Sequence, residues 1–133
     1  MGFLDKFSGP LLSVLRIVSA LLFIAHGTTK LFSFPATEMF ATPPPVGELM
    51  WFGGILEAGG GLLLLIGLFT RPVAFVLSGM MAVAYWVFHA PASIYPVQNG
   101  GDAAILYCFV FLYIAAAGGG PWSADNVLFR KKA

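Results

Sequence analysis

Charge is scarce in this chain. Only 10% of its 133 residues are Asp, Glu, Lys or Arg, while 59% are hydrophobic. A soluble domain carries about 25% charged residues, so this chain lacks the polar surface that water demands. Its net charge of +1 offers no basic field for nucleic acid. Cysteine is nearly absent, with Cys108 alone. One thiol makes no internal disulfide and no CxxC couple, which excludes a thiol–disulfide relay within the chain. No HxxH, HExxH or GxGxxG occurs, so zinc hydrolysis and dinucleotide binding have no motif, and no metal site is expected.

What the chain has is four long apolar runs, at roughly 11–32, 47–68, 72–89 and 101–118. Each is near the ~20 residues that a helix needs to cross a bilayer. Little remains for a water-exposed domain. The expected fold is all-α, a single polytopic membrane domain with four transmembrane helices over 1–133. The first run follows a polar start with Lys6, as a signal peptide would. It is too long for an ordinary signal core and ends in His26-Gly27-Thr28-Thr29-Lys30, so it reads as a retained span.

Proline marks the breaks. Pro43-Pro44-Pro45 stops a helix in the first loop, and Pro72 suits the first turn of the third span. Four spans put both termini on one side. That side receives Lys6, Arg16, Arg71, Arg130, Lys131 and Lys132, and the other receives Lys30. Cytoplasmic flanks are rich in Lys and Arg, so both termini are expected in the cytoplasm. Trp51, Trp86, Tyr95 and Trp122 lie near run ends, where interfacial aromatics sit.

The polar residues inside the spans are the functional candidates. Arg16, Ser19, Phe23, His26 and Lys30 recur at spacings of 3 and 4, one stripe of the first helix. Arg16 and Lys30 are near enough to its ends to snorkel. Glu57 lies deep in the second span, with Gly53, Gly54, Gly60 and Gly61 one turn to either side. Small residues let helices approach closely in lipid. Glu57 is therefore expected in a tight helix contact, paired with His26 or Lys30 or else protonated. Ser78, Tyr85 and His89 share one face of the third span. Asn99 reads as the N-cap of the fourth, with Asp102 in its first turn.

On this topology His26, Lys30, Glu48, His89, Asn99 and Asp102 gather in the outer half. Such a set could hold a small polar headgroup such as the carbonyls of a quinone, or equally plug the bundle with hydrogen bonds. Haem between His26 and His89 fits poorly. His26 lies about 9 Å below its helix end at 1.5 Å per residue, whereas His89 lies at its own helix end.

These residues resemble the DoxX family of small bacterial membrane proteins over about 11–127. The resemblance rests on several segments. They are Leu15-Arg16-Ile17, Leu22 to Gly27 with Lys30-Leu31-Phe32, and Gly53-Gly54 to Glu57 with Gly59-Gly60-Gly61-Leu62. Further segments are Gly67 to Pro72, Tyr85 with His89-Ala90-Pro91, Asn99 to Asp102, and Gly118 to Asp125. Family members often have Glu where this chain has Asp102. The resemblance implies a four-helix membrane bundle in the bacterial inner membrane, with a link to quinol oxidation or sulfur redox chemistry.

The combined expectation is a quinone-linked oxidoreductase component or an accessory subunit of a membrane redox complex. Glu57 would accept a proton, with His26 as its catalytic partner. Lys30, Tyr85, His89, Asn99 and Asp102 would surround the quinone, and Arg16 would pair with Asp125 at the inner end. Partners would be the bilayer, redox subunits or further copies of the chain. The rival is a non-catalytic scaffold whose polar residues hold helices together. A transporter has little support, because no inverted repeat is visible.

Overall fold

The computed structural model describes residues 2–130. Lys131 and Lys132, two of the basic residues behind the orientation argument, lie outside them. A 3₁₀ turn, Gly2–Phe7, leads into α1, Ser8–Phe32. Next come α2, Leu49–Ile66, and α3, Thr70–Ala84, whose last turn widens into a π-helical turn, Tyr85–His89. A short α4, Pro96–Asn99, precedes α5, Asp102–Ala117, and α6, Ala124–Leu128, closes the described chain. No strand occurs among the described residues.

The protein is a helical membrane bundle. Gly2–Phe32, Leu49–Ile66 and Thr70–His89 are long and apolar enough to cross a bilayer. The fourth run is shorter than the sequence suggests, with 16 helical residues where 101–118 was expected. That gives about 24 Å at 1.5 Å per residue. Its limits are set by glycine: Gly100 and Gly118 both have positive φ, +69° and +91°, which a helix interior does not use.

The helices pair as two antiparallel hairpins. In the first, α1 and α2 are so close that a Cβ on Gly27 would sit 2.9 Å from the Ala58 Cα. In the second, α3 lies along α5, with Ser78 bonded to the Cys108 carbonyl at 2.7 Å. The hairpins meet through α2 and α3, where Leu77 fills the space a Gly60 side chain would take. The shared core is Ala20, Phe23, Leu64, Ala74, Leu77, Met81, Phe111 and Ile114. Phe23 and Phe111 lie edge to face, 4.9 Å between centroids, a favoured aromatic geometry. Outward faces carry large apolar groups such as Leu22, Phe52, Leu62, Phe75 and Phe109, as a lipid solvent allows.

This arrangement gives two polar ends. The loop end holds segments 33–48 and 90–101. The terminal end holds the α2–α3 connector and segment 118–130.

Candidate functional site

Glu57 is 3% exposed and faces α1. Of its four glycine neighbours, Gly54 and Gly61 turn toward α1, Gly60 turns toward α3, and Gly53 faces open space. The two facing α1 let the backbones close up and bring Lys30 across to the carboxylate. The Lys30 Nζ donates to both Glu57 oxygens, at 2.6 and 2.7 Å. Lys30 is thus the partner, and it does not snorkel away. Its ammonium also stands 5.9 Å from the Phe40 ring centroid in the first loop, within cation–π range. That loop is tied down by Thr29, whose hydroxyl donates to the Pro35 carbonyl at 2.9 Å.

His26, one turn before Lys30, is exposed. Its ring meets Tyr107 of α5 edge-on at 5.9 Å, and it has no hydrogen bond among the described residues. A recess of about 400 Å³ opens beside it, lined by His26, Thr29, Lys30, Pro35, Met39 and Phe40 among others. Glu57 does not line this recess. Its carboxylate reaches the space only through Lys30, so the expected direct role beside a ligand does not match its position.

The remaining outer residues form a separate cluster on the second hairpin. The Asn99 Nδ2 donates to the Ser93 carbonyl at 2.9 Å and to the Tyr85 hydroxyl at 3.2 Å. The His89 Nδ1 lies 3.0 Å from the Asn99 carbonyl oxygen, and its ring stacks near Tyr85. Asn99 does not cap α5. Its Oδ1 accepts from the Gly101 N–H at 2.8 Å, an Asx turn that the Asn-Gly-Gly sequence favours. Gly101 is the N-cap and Asp102 the first helical residue, exposed to solvent or headgroups. Tyr85, His89, Asn99 and Asp102 are therefore not gathered around the recess at His26 and Lys30.

The terminal end departs furthest from what the sequence predicts. Arg16 is fully buried. Its Nη1 donates to the Leu64 and Leu65 carbonyls at 2.5 and 2.6 Å, its Nε to Gly119 at 2.9 Å and its Nη2 to Trp122 at 2.6 Å. Leu64 and Leu65 are in the last turn of α2, where carbonyls run short of helical donors, and Leu64 otherwise accepts from the capping Gly67 N–H at 3.1 Å. Arg16 thus caps α2 from α1 and clamps segment 119–122. Ser13 joins it, donating to Gly119 and accepting from the Trp122 N–H. Arg71 does the same for α5, donating to the Ala115, Ala116 and Ala117 carbonyls.

Asp125 is spent on a third helix end. Its two oxygens accept from the Phe69 and Thr70 N–H groups, both at 2.8 Å. The negative side chain sits where the α3 dipole is positive. The expected Arg16–Asp125 ion pair is absent among the described residues, where the ion pair is Lys30–Glu57. Each group has found a closer helix end, and their charges act on each other at longer range.

Burial alone would push the Asp125 carboxyl up. The Thr70 and Phe69 amides and the Arg16 charge outweigh burial and hold it below the usual carboxylate range. A depressed folded value stabilises the fold above the unfolded pKa, and that stabilisation is lost as the pH falls through the folded value. Asp125→Asn should cost about 1 kcal/mol at neutral pH, as a lost cap does. It should also flatten the acid limb of a pH series of unfolding midpoints.

Sequence reading missed Ser13, Arg71, Tyr107 and Phe40. Only Arg71 left a signal, as a cation beside a proline at a span end. Among the described residues no three His, Cys, Asp or Glu side chains come together as a metal-binding group.

An uncharacterized protein of Haemophilus influenzae is 41% identical over 98% of this chain and all of its own length. Inner membrane protein YqjF of Escherichia coli K12 is 28% identical over 89% of this chain and 92% of its own length. No solved structure matches. The DoxX family model matches residues 11–90, from α1 through the π-helical turn, which includes Arg16, His26, Lys30 and Glu57. The chain belongs to the DoxX family.

Proposed function

We propose that this protein is a quinone-linked accessory component of a membrane redox assembly, with the headgroup held in the recess at the loop end of α1. One observation carries the reading. His26 has no hydrogen-bond partner among the described residues and lines a mostly apolar recess beside the part-buried Lys30 ammonium. An apolar pocket with a few convergent polar groups is the usual form of a small-molecule site, and about 400 Å³ lies in its ~300–1,000 Å³ range.

The residues fit a quinone headgroup. The imidazole N–H of His26 would donate to a ring carbonyl. Lys30 supplies positive charge at the same wall, and Glu57 fixes its position. Pro35, Met39 and Phe40 supply an apolar wall. A bound quinone supplies electron and proton acceptance. In this reading a partner subunit would supply the electrons. The distribution of basic residues supports an inner-membrane orientation with both termini cytoplasmic. No place at the headgroup is proposed for Tyr85, His89, Asn99 or Asp102.

The test is His26→Ala. The ring is exposed and unbonded, so unfolding midpoints should stay near wild type. Binding of a short-chain ubiquinone in detergent should weaken about tenfold, the scale of one lost hydrogen bond to a charged or polarised partner. Unchanged affinity would overturn the site.

A second reading, the non-catalytic scaffold, is favoured by the terminal end, where Arg16, Arg71 and Asp125 are all committed to helix ends. It expects partner subunits to be lost when these residues are changed, with no quinone ever bound.

A further inference from the structure

At the terminal end a second recess, of about 580 Å³, opens between the start of α3, the Gly118–Gly120 turn and α6. We infer that this recess is a headgroup site for an anionic phospholipid of the surrounding bilayer.

The charge is one argument. Arg71 and Arg130 both line the recess and both are exposed. Arg130 has no hydrogen bond or ion pair among the described residues. Arg71 is held in place by the α5 carbonyls, which orders its guanidinium at the rim without neutralising it. The acidic group in the recess, Asp125, is already engaged by two α3 amides and lies in the field of Arg16. The recess therefore presents net positive charge to an approaching phosphate.

The setting is the other argument. The recess lies where two apolar helices end, so it is level with the headgroups of one leaflet. Phe69 and Phe129 form its apolar wall, with ring centroids 6.2 Å apart. Both rings are more than half exposed among the described residues. A phosphate between two guanidiniums, with acyl chains passing down an aromatic wall, fits both halves of the surface. Arginine suits phosphate through its forked donors. A soluble phosphate compound would use the cations and leave the aromatic wall bare.

The experiment is native mass spectrometry of the full chain in detergent, titrated with phosphatidylglycerol or phosphatidylcholine. Phosphatidylglycerol should be retained in preference. Arg130→Gln should weaken its binding about fivefold, the scale of one basic residue at a membrane surface. Arg71→Gln should do the same, and Arg130→Gln keeps the test open if loss of the α5 cap unfolds the Arg71 variant. Lys6→Gln, a charge at the same end but outside the recess, should change nothing. Equal retention of both lipids, or equal loss in the Lys6 and Arg130 variants, would overturn the site. Displacement of the lipid by millimolar inorganic phosphate would assign it to a soluble ligand instead, and would equally overturn the inference.

Discussion

Arg16→Met lowers the stability of the bundle by about 4 kcal/mol, at ~1 kcal/mol for each of the four hydrogen bonds lost with the guanidinium. The methionine keeps much of the packing volume, so the loss isolates the guanidinium. Two of the carbonyls end α2 and two belong to the turn after α5, so one substitution loosens both hairpins at once. Arg16→Lys should recover only a small part, because an ammonium at a single point cannot meet acceptors spread around a planar fork. Thermal unfolding in detergent, followed by circular dichroism, checks both variants. A lysine variant as stable as wild type would mean that charge alone, and not the forked geometry, does the work.

Glu57→Leu is the second large effect. It leaves the Lys30 ammonium in a bundle interior without its carboxylate. Breaking a fully enclosed pair costs ~3–5 kcal/mol. Lys30 keeps 14% of its side-chain surface and can turn toward the recess, so the cost falls below that range. Lys30→Met in the same chain should then restore stability, since the double variant buries no charge at all. The coupling in this double-mutant cycle measures the pair. Additive losses would show that the two groups do not depend on each other. The same pair bears on function. Glu57→Gln keeps the shape but frees the Lys30 ammonium, so quinone affinity should change through Lys30 and not through a lost proton acceptor.

Parts of this were legible in the sequence because they are local. Gly54, Gly60 and Gly61 around Glu57 announced close helix contacts through the 3.6-residue period alone, whereas Gly53 faces open space. The same period reduced the partners of Glu57 to His26 or Lys30. Which of them would pair depended on the rotation of α1. That rotation buries Arg16, Ser19 and Phe23 and turns His26 outward. The stripe at spacings of 3 and 4 was thus real as far as Phe23 and then divided.

Arg16 was illegible for a different reason. Its charge suggested either a headgroup or an acid as partner, and Asp125 was the acid at that end. Helix C-termini are also anionic partners, but they carry no residue type that marks them. Only the packed bundle brings the Leu64 and Leu65 carbonyls within reach. Asn99 failed more instructively. Asn before Gly-Gly favours a turn as strongly as it favours a cap, and the positive φ of Gly100 decides for the turn.

Quinone content of the purified protein tests the functional account most directly. The full chain, isolated in mild detergent, would be extracted and its ultraviolet spectrum taken before and after chemical reduction. The account expects quinone in stoichiometric amount in wild type, sharply reduced in His26→Ala at equal folding. A featureless aromatic spectrum from well-folded wild-type protein, with no quinone in the extract, would contradict it and leave the scaffold reading in its place.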